Sequence, residues 1–500
     1  MLPRASRAAI PLVLAAIYFL YLFNLTAMGV VMRDEPRYAS IGRAMALSGD
    51  WITPRLWGQP WFEKPALLYW MTGAAFRLHL SEDLAPRLPV ALISIALLFF
   101  YFWILRREFG IRAAAYAAVM LGTSGGWLAY SHVSVTDLPL AATFSAAMLL
   151  TLPWIGSLKL RSRNRSWLLP ASAMLALAVL AKGLVPLVLA LPLAWSGRKQ
   201  WRDLLSPKPV LIFAAIALPW YALCTIRNGS VFPRTFFWEH HFQRFTSDTL
   251  QHGQPSWYYV PVFLLALFPW TPMLVTIFRP ALYRDPRVLF LLLWLIFGFV
   301  FFSAATNKLP GYLMPLLPAA TALAGIGLTK FRLAGGLLFA STILLALTPA
   351  IANILPLALA AGAFRFSFAF TSASQGFTKQ LWILALAMAL AGIILWFLDS
   401  RRRRDAAFAS LAVFTVLAAV YLETTAFPII DRAASARPIW RELQRRNRPA
   451  CIGDIDRTWR YGLNYYSVVP LPDCRSSNAS LHVVPGGSRL EVRENRAGLP

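Results

Sequence analysis

The chain reads as a polytopic α-helical membrane protein of about thirteen spans, and three observations predict this. Of its 500 residues, 58% are hydrophobic and only 14% charged, against about 25% charged in soluble domains; mean hydropathy is +0.55. Continuous apolar runs of roughly 17–25 residues recur, the length a helix needs to cross a bilayer, and their continuity excludes the alternating pattern of a β-barrel. Much of the Lys and Arg falls in short tracts between these runs, as cytoplasmic loops require. The net charge of +26 is therefore a topology signal rather than a nucleic-acid footprint.

Residues 1–8, with Arg4 and Arg7, stay in the cytoplasm, and span 1 covers about 9–30. This run is too long for the core of a cleavable signal, so it reads as a true span. Residues 31–84 then form a long amphipathic outer loop, in which RYASIGRAMALSG is a surface helix ended by Gly49, and Pro54, Pro60 and Pro65 break the remainder of the loop. Span 2 (about 85–105) returns to Arg106, Arg107 and Arg112; span 3 ends near the outer turn YSHVSVTD, with His132 and Asp137; span 4 (about 138–156) descends to the tract Lys159, Arg161, Arg163, Arg165. Residues 167–196 are flanked by basic tracts on both sides, so they form two short spans with Lys182 exposed at the outer tip.

Span 7 (about 209–225) leads to a second outer loop, 226–256, and span 8 runs back to Arg279. Span 9 ends at the outer element TNKLPGYLMP, and span 10 returns to Lys330 and Arg332. Span 11 reaches an outer segment at 361–378, span 12 ends at the four arginines 401–404, and span 13 (about 406–425) leaves 426–500 outside. The chain thus divides into a transmembrane domain, 1–425, and a small outer α/β C-terminal domain, 426–500. Cys224 lies in an apolar span as inert packing, while Cys451 and Cys474 share the tail, where a disulfide can form if the tail is extracytoplasmic.

Every charged or histidine-bearing outer loop lands on one face under this topology, and charges at membrane depth are kept mainly where they act. Asp34 and Glu35 directly follow span 1. They can supply a general base or hold a cationic group; alternatively, Asp34 caps a helix that begins before Pro36. Glu63-Lys64-Pro65 sets an acid beside a base at the start of a helix, where an anion such as phosphate is attracted, or else it is a surface ion pair. Lys182, Lys308 and Arg244 can join Lys64 as a cationic cluster, or the two lysines can snorkel to headgroups. Asp137 is a second acid, or a cap of span 4. His240, His241 and His252 share one loop, and Glu63 can complete a metal site with them, although no tight metal-ligand spacing is present.

The string RDEPRY…GDW…YFEKPALLYW, written here WFEKPALLYW, resembles the first outer loop of the bacterial 4-amino-4-deoxy-L-arabinose lipid A transferase-like family, within the protein-mannosyltransferase-like C-type glycosyltransferases. TD, AKG, EHH with QRF, and NKLPGY occur in the expected order. The resemblance covers about residues 10–320. It implies an inverting glycosyltransferase of the C-type fold, with amphipathic juxtamembrane helices in the first outer loop. Such an enzyme moves a sugar from a polyprenyl-phosphate carrier to lipid A or a related acceptor on the periplasmic face of the bacterial inner membrane. It also implies that Asp34, with Glu35 beside it, and Asp137 are catalytic. Lys64, Lys182, Arg244, Lys308, Arg37, Tyr38 and Tyr312 would bind substrate and phosphate, and Glu63 with His240 or His241 would hold a divalent ion. Transfer to a protein hydroxyl or another glycan is the alternative within the class. A flippase for anionic lipids is the rival from another class, although its internal repeats and midplane charges are not seen in the sequence.

Overall fold

The computed structural model describes residues 4–157, 164–243, 254–331, 334–361, 379–486 and 489–494. The basic residues Lys159, Arg161 and Arg163, together with Arg332 and nearly all of the expected outer segment 361–378, lie outside them. Among the described residues nine helices are long and apolar enough to cross a bilayer: Leu88–Phe109, Asp137–Gly156, Arg165–Lys182, Pro207–Asn228, Pro286–Ala304, Pro310–Lys330, Gly335–Leu359, Trp382–Ser400 and Arg404–Ala434. A broken span, Ser256–Ala266 with Thr271–Ile277, is bent by 107°. Three shorter apolar helices, Ile10–Tyr21, Ile111–Gly122 and Val185–Ser196, bring the apolar segments to thirteen, consistent with the expected number. The break arises at FPWTP, where Pro269 and Pro272 remove the backbone donors that a continuous helix needs.

Two helices form the centre. Asp137–Gly156 and Pro310–Lys330 are each 94% buried within the protein, whereas the other long helices are 17–39% buried and turn apolar side chains such as Ile226 and Val300 outward. Both central helices are rich in small residues such as Ala and Thr, which lets neighbouring backbones approach closely. Each begins at a residue pair of interest, Thr136-Asp137 and Pro310-Gly311. Of the expected pair of short spans, Arg165–Lys182 is long and apolar enough to cross, and Val185–Ser196, after a turn at Gly183, is a shorter apolar helix.

The first outer segment folds as anticipated. A helix, Asp34–Ser48, ends at Gly49, whose φ of +72° is the left-handed value that closes a helix without a Cβ penalty. A two-residue β-ladder, Arg55–Leu56 with Gln59–Pro60, and a second helix, Leu67–Arg77, come next. Tyr38, Ile41 and Met45 from the first helix bury with Leu68 and Tyr69 from the second. These helices lie against the protein and are too short to span.

The last spanning helix continues to Ala434, and the tail beyond it is α/β. Strand Ala450–Ile452 pairs in parallel with Leu481–Gly486, which pairs antiparallel with Arg489–Glu494, and helices Arg437–Arg446 and Arg457–Ser467 cover the sheet. Its core of Leu443, Ile452, Leu463, Leu481 and Val483 also takes in Val30 and Ala39 from the first outer segment. Polar latches reinforce the seam. Arg437 bonds Asp83 at 2.7 Å and Asp431 at 2.9 Å; the Tyr466 hydroxyl donates to Asp83 at 2.8 Å and accepts from the Val30 N–H at 2.9 Å. Cys451 and Cys474 are joined in a disulfide, and Cys224 is fully buried and free.

The disulfide closes a loop of 23 residues, for which chain-entropy arguments expect about 3 kcal/mol of stabilisation. Replacing Cys451 and Cys474 together by Ser is expected to destabilise the tail by that order, read as earlier proteolytic cleavage after residue 434 with the membrane helices intact.

Candidate active site

Asp34 and Asp137 are each the first residue of a helix whose capping residue, Arg33 or Thr136, makes no side-chain cap bond, and the two carboxylates instead accept from Arg37 and Lys182. Neither carboxylate is therefore used as a helix cap. Arg37, one turn on, bonds Asp34 through one guanidinium nitrogen and Glu63 Oε2 through another at 2.9 Å. Lys64 Nζ lies 3.3 Å from Glu63 Oε1. The result is a chain of alternating charge, Asp34–Arg37–Glu63–Lys64. Asp34 is its most open member, with 36% of its side chain exposed against 9–13% for the others. Burial alone would favour loss of the Arg37 proton, but Glu63 and Asp34 outweigh it and push its pKa up. Tyr38 and Tyr69, with rings 5.9 Å apart, are likewise held as neutral phenols, first by burial and then by the carboxylates nearby. Their hydroxyls, and the indole N–H groups of Trp57 and Trp61, have no hydrogen-bond partner among the described residues.

The second cluster lies at the heads of the two central helices. Lys182 Nζ donates to Asp137 Oδ1 at 2.6 Å and stands 4.4 Å from the centroid of the Tyr312 ring. The expectation that Lys182 is exposed at a loop tip is thus corrected: its side chain is 11% exposed and turned inward onto Asp137. Gly311 permits this approach, since a Cβ there would sit 2.7 Å from the Asp137 carboxyl carbon and from Tyr130 Cε1. Tyr130 lies beside Gly311 together with the Asp137 carboxyl, and it packs against the apolar cluster of Met28 and Val31 just before Asp34, so it stands between the two clusters.

Two expected participants fall elsewhere. Glu35 is fully buried and points away from Asp34. It accepts from Arg87 Nε at 2.8 Å and Nη2 at 2.9 Å, from the Val31 N–H at 2.8 Å and from the Ser134 N–H at 3.0 Å. A carboxylate so fully hydrogen-bonded is a strut rather than an acid–base group, which corrects its expected catalytic role. Lys308 is buried, with its ammonium donating to the carbonyls of Ala305 and, at 3.0 Å, Gln254. It braces the loop before Pro310 instead of joining the cationic cluster. Arg244 and the side chains of His240, His241 and His252 lie outside the described residues. Of the expected metal ligands Glu63 alone is described. Its carboxylate already meets Arg37 and Lys64, two cations that disfavour a further positive ion beside it. A group of three metal-donor side chains among the described residues is Cys451, Cys474 and His482, two of which are consumed by the disulfide.

The residues that sequence reasoning missed are Arg87, Tyr130, Gly311, Trp61 and Tyr461. Arg87 carried a signal, an arginine at the head of an apolar run, where a buried charge needs a partner. Trp61, Tyr130 and Gly311 lie inside the strings WFEKPALLYW, YSHVSVTD and NKLPGY, while Tyr461 carried no signal without the fold.

Enclosed central helices, a surrounding apolar shell and acid–base clusters at one end define a multi-pass membrane protein of the C-type glycosyltransferase fold. Its structure superposes on ArnT from Cupriavidus metallidurans, solved with undecaprenyl phosphate bound, with a TM-score of 0.75 and 28% identity over 93% of this chain and 86% of that one. Residues 8–228 match the family model of dolichyl-phosphate-mannose-protein mannosyltransferases. In both sequence and structure the chain is similar to ArnT and to the protein mannosyltransferases. It is 32% identical over 334 residues to the undecaprenyl phosphate-alpha-4-amino-4-deoxy-L-arabinose arabinosyl transferase of Pseudomonas aeruginosa UCBPP-PA14, covering 64% of this chain and 60% of the relative. It is 34% identical over 346 residues to transferase 2 of that name from Pseudomonas fluorescens Pf0-1, covering 66% and 62%. The chain thus matches about three fifths of the length of these relatives.

The contrast between neighbours is testable. Glu35→Ala, which strands a buried Arg87, is expected to cost about 3–5 kcal/mol, whereas Asp34→Asn at the more open neighbouring position is expected to stay within about 1 kcal/mol. Thermal unfolding in detergent reads both.

Proposed function

We propose that the protein is an inverting glycosyltransferase that moves a sugar from a polyprenyl phosphate to a membrane-associated acceptor such as lipid A. The sugar fits 4-amino-4-deoxy-L-arabinose, the one named for the relatives above. The observation that carries this reading is the placing, on either side of Tyr130, of Asp34–Arg37–Glu63–Lys64 and Asp137–Lys182–Tyr312. In the reaction the bond from the anomeric carbon to the carrier phosphate oxygen breaks while the acceptor oxygen attacks from the opposite side. The departing phosphate keeps the electron pair, and Lys64 and Lys182 stabilise that charge electrostatically. A phosphate acceptor brings its own negative charge and needs no proton removed; with a hydroxyl acceptor, the proton passes to Asp34, the most open carboxylate. The unpartnered hydroxyls and indole N–H groups around Arg37 offer hydrogen bonds that a sugar can satisfy.

The site faces the periplasm and the protein resides in the inner membrane. The disulfide in the tail supports this orientation, since such bonds persist in oxidising compartments. So do the basic residues Arg106, Arg107 and the arginines 401–404 at the opposite helix ends. Lipid A and undecaprenyl-phosphate-linked aminoarabinose incubated with the purified protein test the activity. Asp34→Asn, Lys64→Ala and Lys182→Ala are each expected to lower turnover by at least about 100-fold, with expression unchanged. Full turnover in any of them removes that residue from the mechanism. Transfer to lipid A absent from the wild type but present with another glycan acceptor moves the reading to the wider class.

Gly311→Ala is expected to push Asp137 off Lys182 and to lower turnover about 10-fold or more. Single-turnover rates measured beside the wild type decide it.

A further inference from the structure

Arg37 is held by more than its two carboxylates. Its guanidinium carbon lies 5.5 Å from the centroid of the Trp61 ring, 5.5 Å from Tyr461 and 5.7 Å from Tyr38. Trp61 and Tyr38 belong to the first outer segment, but Tyr461 comes from the Arg457–Ser467 helix of the C-terminal domain. Tyr461 packs in turn against Trp57, with ring centroids 5.5 Å apart. Arg33, one turn before Arg37, reaches Asp456 in the same tail region at 3.5 Å. A guanidinium is planar: carboxylates satisfy its edge, and aromatic rings attract its face. Edge and face are both occupied at Arg37, and one of the facing rings is supplied by the far end of the chain.

We propose that Tyr461 is a positioning residue that fixes the Arg37 guanidinium, and through it the Asp34 carboxylate, so that the C-terminal domain forms part of the active site. This rests on the reading that Asp34 contacts the substrates. With the Tyr461 ring removed, Arg37 loses one of its three facing rings and gains room to leave Asp34, which then samples orientations unproductive for transfer. The consequence falls on the chemical step rather than on capture of the carrier phosphate, because Lys64 is held at Glu63, and Lys182 at Asp137 and Tyr312.

The test uses the full chain in detergent with undecaprenyl-phosphate-linked aminoarabinose and lipid A. Tyr461→Phe, which keeps the ring, is expected to hold kcat within about twofold, and Tyr461→Ala to lower it about 10-fold or more with the donor KM nearly constant. Tyr461→Leu keeps an apolar contact for Trp57, guards against an alanine variant that fails to fold, and is expected to lower kcat as well. In an Arg37→Lys background, which already forfeits the planar group, Tyr461→Leu is expected to add less than about twofold, since residues acting as one unit do not add. Normal turnover in the leucine variant, a rise in KM alone, or an undiminished loss in the Arg37→Lys background would each overturn the role. An inactive wild type would overturn the underlying reading and the role with it, whereas an active wild type beside an equally active leucine variant would overturn the role alone.

Discussion

The Glu35–Arg87 ion pair is the constraint on which the site geometry depends. Both side chains are completely buried, and a buried charge pair is tolerable only when nearly every remaining donor and acceptor is satisfied. Here they are. Glu35 takes the backbone N–H groups of Val31 and Ser134, and Arg87 reaches the carbonyls of Leu25, Met28 and Gly29. The pair therefore ties together the end of the first span, the first outer helix, the head of Leu88–Phe109 and the loop before Asp137. Asp34 is adjacent to Glu35, and Asp137 lies one short stretch after Ser134, so the separation of the two candidate carboxylates is set by this knot.

A second contribution comes from backbone alone. Asp137 and Pro310 start the two most enclosed helices, and helix N-termini carry partial positive charge. Both point their positive ends toward the same region as Lys64 and Lys182. In surroundings shielded from water such fixed dipoles act more strongly than they would at an exposed surface, and an anion held there would gain from them without any side chain moving. The lipid-facing helices bear no such burden, which explains why their sequences need only remain apolar.

Much of this is legible in the sequence, and the exceptions have physical causes. Apolar runs and basic tracts mark the spans, because membrane insertion reads the same hydropathy. Gly49 and the prolines mark the bounds of the first outer helix. Asp34, Glu63, Lys64, Asp137 and Lys182 stand out as charges beside apolar segments, and the structure brings them into two linked clusters. Glu35 is misleading because adjacent carboxylates look alike in a string, while helical geometry sends neighbours about 100° apart. Lys182 looks exposed because a turn after AKG resembles a loop tip; only the packing of Arg165–Lys182 against Asp137–Gly156 turns it inward. Tyr461 and the latch at Arg437 cannot be read at all, since pairing between distant segments leaves no periodic trace.

That latch carries a consequence for biosynthesis. Gly29 bonds Asp431, and Val30 bonds Tyr466, across 402 and 436 residues. At ribosomal speeds of about 5–20 residues per second, the loop that bears Asp34 emerges on the order of 20–90 s before the helices that clasp it. During that interval the spanning helices enter the bilayer while the segment around Asp34 still lacks its outer wall. A nascent chain halted before the tail would thus be threaded through the membrane with the segment around Asp34 still unclasped.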